Sequence, residues 1–484
     1  MKGPTPMQQR LGTAGVVALL ILYVAVHFYF SQYYSLVPDE TWFLAEANLQ
    51  ARINGQDTQR IVIGQTNYLG YGALYWIAYI LMVREIGPAE AFSVLRTTVA
   101  VSTALLAVFL VLLVRDRGPA FQASAFLLWA TMPIAWWSGK VTGPEIFSLL
   151  FLAGGCYLAF RPERTDDGFG WHHLLLGIST GLKVNALPVA LGVLLWDGLR
   201  KAGKGRTALF GLLSLAGFVA VNPFIVTHPG VYLAHLRSVS EPLFSGAFTV
   251  TGLLDHLRTI AWNFLYEWDL VFVGGYFQWG LSVGAWAVLW WMLRKQKAPA
   301  GMLAVFVLVS LLSAGLVIMN KRYVGWYWFP LILFQLFLIL RLPLSARVLV
   351  ALAMLNVLFN AQVIYHTIQI RKEANDNLLA FPAVKNCVDE YLAGMPADLV
   401  VDRMEVGLWE DKVTHPPDRQ KQPPLIHYLL GDRLMRFSSY RRTFGDLLKE
   451  PNFRCGYVTI VTVAEPFDRY LSRLADRNKR SVPC

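Results

Sequence analysis

Charged residues are scarce in this chain. Asp, Glu, Lys and Arg make up 15% of its 484 residues, and 55% are apolar, whereas a soluble globular domain carries about 25% charged residues. The apolar residues form long runs such as 98–114 and 303–319, each close to the roughly 20 residues that cross a bilayer as a helix. This composition excludes soluble, fibrous and disordered proteins and predicts a polytopic α-helical membrane protein.

Acidic residues are scarcer than basic ones, with 32 Asp and Glu against 43 Lys and Arg. The basic residues lie in short segments between apolar runs, so we expect no nucleic-acid partner and take the charge as a topology signal. Short basic loops stay in the cytoplasm. Six clusters are placed there: Lys2/Arg10, Arg115/Arg117, Arg161/Arg164, 200–206, 294–297 and Arg341/Arg347.

An even number of crossings must separate neighbouring inside clusters. We therefore expect segment 68–83 to be re-entrant or interfacial. Segment 174–197 is expected to form two short helices that meet at a break on the outer face. The residues that interrupt it are Gly177, Gly181, Lys183, Asn185 and Pro188. This gives about eleven transmembrane helices, with an inside N-terminus and an outside C-terminus. We expect the membrane to be a bacterial inner membrane, with the outside face toward the periplasm or exterior.

A second topology stays open at this point. In it, segment 68–83 crosses the membrane and segment 174–197 is one unbroken helix. The Arg115/Arg117 and Arg161/Arg164 clusters would then lie outside.

The main topology divides the chain into two predicted domains. Residues 1–369 form the transmembrane module, and 370–484 form a small external α/β domain, because the composition turns polar there. Strands are expected at 398–402 and 456–463. The outer segments of the first domain are 32–96, 138–144, 227–268 and 320–325.

Cysteine is rare, with four residues. Cys156 lies in a predicted span and is expected to be an inert core residue. Cys387, Cys455 and Cys484 are external, and we favour a Cys455–Cys484 disulfide, because a helix after strand 456–463 would return toward the start of that strand. No metal-ligand spacing is present, and the His172/His173 pair, placed in a cytoplasmic loop, is assigned no role.

Two adjacent carboxylates, Asp39 and Glu40, follow the first apolar run. Ionisable groups near lipid are costly and are therefore functional candidates. A carboxylate in a partly dehydrated cleft can accept a proton from a hydroxyl nucleophile. Equally, Asp39 can simply cap an interfacial helix over 40–53.

Further candidates lie in the other outer segments. Lys140 and Glu145 flank a predicted helix start, where a carboxylate is also favoured for structural reasons. Lys183 lies about ten residues into an apolar segment and so needs an anion or a cavity. Arg237 and Arg322 are suited to holding a phosphate, with surface solvation as the alternative for such residues.

Carboxylates and cations at one membrane face suit the transfer of a sugar from a lipid phosphate. A base activates the acceptor hydroxyl, which attacks the anomeric carbon, and cations stabilise the departing phosphate. The chain also resembles the GT-C superfamily, and is most similar to its protein O-mannosyltransferase and lipid A aminoarabinose-transferase branch. The resemblance covers residues 1–340 and rests on Asp39-Glu40, Glu145, GISTGLKVNALPVAL, NPFIVTHPGVYLAHLRSV and KRYVGWYWFP, in that order.

The resemblance implies a role for each matching residue. Asp39 would be the catalytic base, Glu40 its neighbour and Glu145 a second acidic residue. The implied phosphate-binding residues are Lys183, Arg322 and Arg237. From their position in the outer segments, Tyr323 and Lys140 are added as candidate donor-binding residues. No cofactor is expected, because the second acidic position is a lone Glu without a D-x-D spacing, which weakens a metal-dependent mechanism. A weak divalent-metal dependence stays open.

The sequence therefore predicts an inverting glycosyltransferase. It would move a sugar from a polyprenyl-phosphate donor to a hydroxyl of a glycan, lipid or protein on the periplasmic face, acting as a monomer in the bilayer. A lipid-linked glycan ligase or polymerase, or a lipid or sugar flippase, stays an alternative. The identities of the sugar and the acceptor are open.

Overall fold

A computed structural model describes the helical part of the chain and short strands near its C-terminus. The described residues are 6–33, 88–132, 135–136, 144–161, 169–199, 204–222, 224–227, 229–230, 249, 251–255, 257–258, 284–288, 290–291, 294–295, 300–319, 324–361, 390, 393, 399–400, 403–406, 453–455, 458–461 and 465–466. The chain forms two compact units. The first comprises 1–31, 97–140 and 144–368, and the second comprises 32–96, 141–143 and 369–484.

The longer helices lie wholly or mostly in the first unit. The longer described helices are α1 (Pro6–Tyr33), α2 (Pro88–Leu113), α3 (Pro119–Ala130), α4 (Pro144–Phe160), α5 (Trp171–Leu182), α6 (Leu187–Leu199), α7 (Lys204–Ala220), α8 (Ala300–Met319), α9 (Val324–Arg341) and α10 (346–361). The predicted helical runs 144–160 and 301–319 match α4 and α8 almost residue for residue. Within the described residues, no helix combines the length and the apolarity needed to cross a membrane.

Proline marks the start of several helices. Pro88, Pro119 and Pro144 are the first residues of α2, α3 and α4. Proline suits the first helical turn because its missing N–H has no intrahelical partner there and its φ already fits the helix. These starts can therefore be read directly from the sequence.

The predicted break in segment 174–197 is confirmed. Helix α5 ends at Leu182, and Lys183 takes an extended conformation with φ −152° and ψ 119°. A single 3-10 turn, Val184–Ala186, then leads into α6. The two helices form a hairpin with Lys183 at its closed end.

Helix α5 packs so closely on both neighbours that glycine is required. A Cβ on Gly177 would collide with the backbone of Ser214 in α7, and a Cβ on Gly217 with the carbonyl oxygen of Leu174. Toward α4, a Cβ on Gly155 would lie 2.7 Å from Leu176 Cγ. Small residues of this kind let helix backbones approach each other.

The Arg117 side chain joins two predicted cytoplasmic loops. Its Nη1 donates to the carbonyl oxygens of Leu340 (2.8 Å) and Leu342 (2.8 Å), and its Nη2 donates to that of Leu344 (3.0 Å). The Arg115/Arg117 and Arg341/Arg347 clusters therefore lie at the same end of the helical unit. This contradicts the second topology, which placed them on opposite faces.

Burial and then the charge of Arg341 lower the pKa of the Arg117 guanidinium. The group nevertheless stays charged at neutral pH. Its guanidinium carbon also lies 4.1 Å from the centre of the Phe121 ring. The cation is thus fixed between backbone carbonyls and an aromatic face.

Polar side chains also connect the helices. Asn356 Nδ2 in α10 donates to the carbonyl oxygen of Leu128 at 3.0 Å and to Thr131 Oγ1 at 2.7 Å. Trp129 Nε1 in α3 donates to the carbonyl oxygen of Thr103 in α2 at 3.1 Å. Cys156 is buried in α4 as a free thiol, as expected of a core residue.

The described residues of the second unit form two small antiparallel sheets. Their strands are β1 (Leu399–Val400), β2 (Arg403–Val406), β3 (Phe453–Cys455), β4 (Val458–Val461) and β5 (Glu465–Pro466), with orders β2-β4-β3 and β1-β5. Strands β1 and β4 fall within the predicted 398–402 and 456–463. Cys387 and Cys484 lie outside the described residues, so the disulfide stays a prediction.

Two glycines of α7 provide a matched test of this packing. Gly217→Ala should lower the free energy of unfolding by about 1–3 kcal/mol, because the new methyl group meets the α5 backbone. Gly211→Ala lies on the same helix, and among the described residues the added Cβ meets no heavy atom within 4 Å apart from the adjacent backbone of its own helix. It should stabilise by about 0.5–1 kcal/mol through helix propensity. Thermal unfolding of the purified variants measures both. Equal effects at the two positions would contradict the close approach of α5 and α7.

Candidate functional site at the helix break

Two residues selected from the sequence meet at the closed end of the α5–α6 hairpin. Lys183 Nζ donates to Glu145 Oε1 at 2.6 Å, although 38 positions separate the residues along the chain. The Lys183 side chain is 24% exposed and that of Glu145 is 16% exposed. The pair is therefore largely enclosed by protein but still reaches the surface.

The local chain places both charges where helix ends favour them. Glu145 lies in the first turn of α4, where the unpaired N–H groups carry partial positive charge. Lys183 directly follows the last residue of α5, where the carbonyl groups carry partial negative charge. The two helix ends thus support the same ion pair from opposite sides.

Two serines fix α4 to α5 one turn away from the pair. Ser179 Oγ donates to the carbonyl oxygen of Ser148 at 2.7 Å, and Ser148 Oγ donates to that of Ser179 at 2.9 Å. Ser148 follows Glu145 by three residues, and Ser179 precedes Lys183 by four. Because both hydroxyls are buried, these bonds hold the two helices in register.

A residue just after the end of α7 contacts the C-terminal end of α5. Asn222 Nδ2 donates to the carbonyl oxygen of Gly181 at 2.9 Å and to that of Phe218 at 3.1 Å. A Cβ on Gly181 would lie 2.9 Å from Asn222 Nδ2 and 2.5 Å from Val221 Cγ2. Glycine at 181 therefore lets a carbonyl group freed by the helix end find a donor.

The arrangement can hold an anion next to a fixed ammonium group. Lys183 supplies a point charge suited to phosphate oxygens, and Glu145 fixes where that charge lies. Both residues were predicted to belong to the site, and the structure brings them together. The other predicted site residues lie outside the described residues: Asp39, Glu40, Lys140, Arg237, Arg322 and Tyr323.

The prediction for the histidine pair is wrong. His172 and His173 lie in the first turn of α5 rather than in a loop, and both are buried. Their Nε2 atoms lie 2.6 Å and 2.9 Å from Asp197 Oδ2 near the end of α6. The pair thus has the carboxylate partner that the sequence interpretation denied it.

The number of residues on each side of the break is the sequence signal that would have indicated this contact. His173 precedes Lys183 by ten residues, and Asp197 follows Leu187, the first residue of α6, by ten residues. In a hairpin of two helices with equal rise, residues equally far from the break come to lie side by side. The predicted break therefore already implied that His173 and Asp197 are neighbours.

No protein-family model and no curated protein matches this chain. Among solved structures, the chain is similar to the crystal structure of ArnT from Cupriavidus metallidurans in the apo state, with 13% sequence identity and a TM-score of 0.39. The similarity covers 80% of this chain and 66% of that chain.

A double-mutant cycle measures the strength of the pair. Lys183→Met should cost roughly 1–3 kcal/mol of unfolding free energy, because it leaves a mostly enclosed carboxylate without its cation. The double variant Glu145→Gln/Lys183→Met should be more stable than the sum of the single changes implies, by about 1–2 kcal/mol. Chemical denaturation of the purified variants provides the values.

The control is a surface pair in the same unit. Arg115 Nε lies 3.6 Å from Asp116 Oδ1, with 46% and 68% of the two side chains exposed. Asp116→Asn should change stability by less than about 0.5 kcal/mol, because exposed ion pairs contribute little. Strict additivity at Glu145 and Lys183 would mean that their contact does not stabilise the fold.

Proposed function

We propose that this protein is an integral-membrane inverting glycosyltransferase. It takes a sugar from a polyprenyl-phosphate donor and transfers it to a hydroxyl acceptor at the periplasmic face of a bacterial inner membrane. The Glu145–Lys183 pair carries this proposal, since two residues chosen for this chemistry lie 2.6 Å apart at a helix break. A carboxylate and an ammonium group joined in this way supply the fixed charge that a lipid phosphate needs.

The outward faces of the described helices support a membrane location. Large apolar side chains point away from the packed core along several helices and are more than half exposed. They include Ile21, Leu212, Leu215, Leu311, Leu358 and Phe359. A water-exposed protein seldom presents so much apolar surface, whereas lipid tails cover it without cost.

The proposed reaction moves one proton and one glycosyl group. Asp39 accepts the proton of the acceptor hydroxyl while that oxygen bonds to the anomeric carbon. The bond between this carbon and the phosphate oxygen breaks, and the lipid phosphate departs with the electron pair. Attack from the face opposite the leaving group inverts the anomeric centre.

Lys183 is proposed to stabilise the departing phosphate. Negative charge grows on the phosphate oxygen as the sugar leaves, so a fixed ammonium group binds the transition state more strongly than the bound donor. Glu145 would act as a positioning residue that holds Nζ at the break. Arg322, Tyr323, Arg237 and Lys140 are proposed to complete the donor site, and Glu40 to support Asp39.

Replacing the proposed base tests the reaction. Asp39→Asn should reduce transfer by on the order of 10²–10⁴, because an amide keeps the shape but accepts no proton. Incubation of the purified protein with a polyprenyl-phosphate sugar and a panel of acceptors measures the rate, with thermal unfolding as the folding control. Glu40→Gln is the matched control and should retain more activity. Wild-type turnover by a folded Asp39→Asn protein would exclude Asp39 as the base, and lipid movement without transfer would favour a flippase.

The role of Lys183 can be separated from simple donor binding. Lys183→Ala should lower kcat more than it raises KM for the lipid donor, because its interaction strengthens in the transition state. Lys183→Arg should restore activity only in part, since a planar fork does not replace a point charge beside Gly181 and Asn185. Steady-state kinetics with donor and acceptor varied separately gives both constants. Unchanged donor kinetics with a raised acceptor KM would place Lys183 in the acceptor site.

A further inference from the structure

A second cluster of functional side chains lies at the open end of the α5–α6 hairpin. His172, His173 and Asp197 are all buried and each offers one ligand atom, and these atoms lie within 4.8 Å of one another. Helix α5 rises about 1.5 Å per residue, so the cluster lies roughly 16 Å from Lys183 along this helix. We propose that His172, His173 and Asp197 bind a divalent transition-metal ion of the zinc class.

The ligand types select the class of ion. Two imidazole nitrogens and one carboxylate oxygen suit zinc, cobalt, nickel or copper, whereas calcium and magnesium prefer all-oxygen ligands. Three protein ligands leave room for a water or a further protein ligand at a tetrahedral ion. The cluster therefore fits a zinc-class ion better than an alkaline-earth ion.

The present distances are close to those that ligation needs. The Nε2 atoms of His172 and His173 lie 2.6 Å and 2.9 Å from Asp197 Oδ2, which are hydrogen-bond distances. Ligands at about 2.0–2.2 Å from a tetrahedral ion lie about 3.3 Å from each other. For ligation, each imidazole Nε2 would move away from Asp197 Oδ2 by less than an ångström, and all three ligand atoms, which lie within 4.8 Å of one another, would adopt this common spacing.

The surroundings fix the orientation of His173. The Phe210 ring stacks on the His173 ring with centres 4.6 Å apart and planes inclined by 23°. Ser214 Oγ donates to the carbonyl oxygen of His173 at 3.2 Å. Among the described residues, Nδ1 of His173 meets no hydrogen-bond partner, so Nε2 is the nitrogen through which this ring makes its polar contact.

A hydrogen-bonded triad without metal is the competing explanation. In that arrangement both imidazoles hydrogen-bond to the Asp197 carboxylate and no ion is bound. A single hydrogen bond to Oδ2 would need only one of the two rings, and burying a second polar ring costs desolvation. A metal site requires both rings, because each supplies one ligand, and this difference favours the metal.

The ion would cross-link the two helices of the hairpin. It would join the first turn of α5 to the last turn of α6, while the chain itself joins them at Lys183. Because folding places the three ligands together, the ion binds the folded chain preferentially and stabilises it.

Cobalt binding to the full chain tests the site. The chain, purified in detergent without a histidine tag and stripped with chelator, is titrated with Co²⁺, and bound cobalt is measured by elemental analysis after gel filtration. We expect one cobalt ion per chain, visible absorption bands of low-coordinate cobalt, and a raised Tm. Asp197→Asn, His172→Gln and His173→Gln should each lose these three signals.

His27→Gln is the matched control, because His27 is also buried in the first unit but lies on α1. It should keep the cobalt signals of the wild type. The proposal is overturned if the folded wild type binds no cobalt, or if all three cluster variants bind it as the wild type does. Should the variants fail to fold, X-ray absorption of the cobalt-loaded wild type decides, because two imidazole ligands support the site and none contradicts it.

Discussion

The charge of Lys183 is the constraint on which the described helical unit depends. An ammonium group within an apolar segment is costly unless an anion and hydrogen bonds compensate it. The chain meets this need by ending a helix at Lys183, so that the ammonium group follows a helix C-terminus. It also brings the first turn of another helix beside it, with Glu145 as the anion. The break after α5 and the first turn of α4 thus meet at one charge.

The position of that charge depends in turn on how closely α5 packs against α4 and α7. The glycines at 155, 177 and 217 remove the side chains that would hold the helices apart. With the backbones close together, short polar side chains such as Ser148 and Asn222 reach carbonyl groups on the next helix. If the helix backbones lay farther apart, these short side chains would not reach, and the carbonyl groups would be unpaired in the protein interior. The close packing and the ion pair are therefore coupled.

Much of this arrangement could be predicted from the sequence, because its signals are local. Proline at 144 indicates a helix start, and the group of Gly181, Lys183, Asn185 and Pro188 indicates the break. The pairing of Glu145 with Lys183 was not predictable in the same way, since it depends on the register between α4 and α5. That register is set by Ser148 and Ser179, whose hydroxyl groups carry no sequence signal that distinguishes a helix contact from a solvent contact.

The histidine cluster was missed for a different reason. The sequence interpretation placed the two histidines in a cytoplasmic loop, and the carboxylate that His173 contacts lies 24 residues away along the chain. The break makes the intervening segment a hairpin, so its two ends lie together. The hairpin thus has two polar ends of opposite kind. One is partly exposed and carries the Glu145–Lys183 ion pair, whose ammonium group is suited to an anion, and the other is buried and carries ligands suited to a cation. A rigid pair of helices connects these two ends. Fixing the open end therefore limits how far the closed end can move, and with it the ammonium group of Lys183.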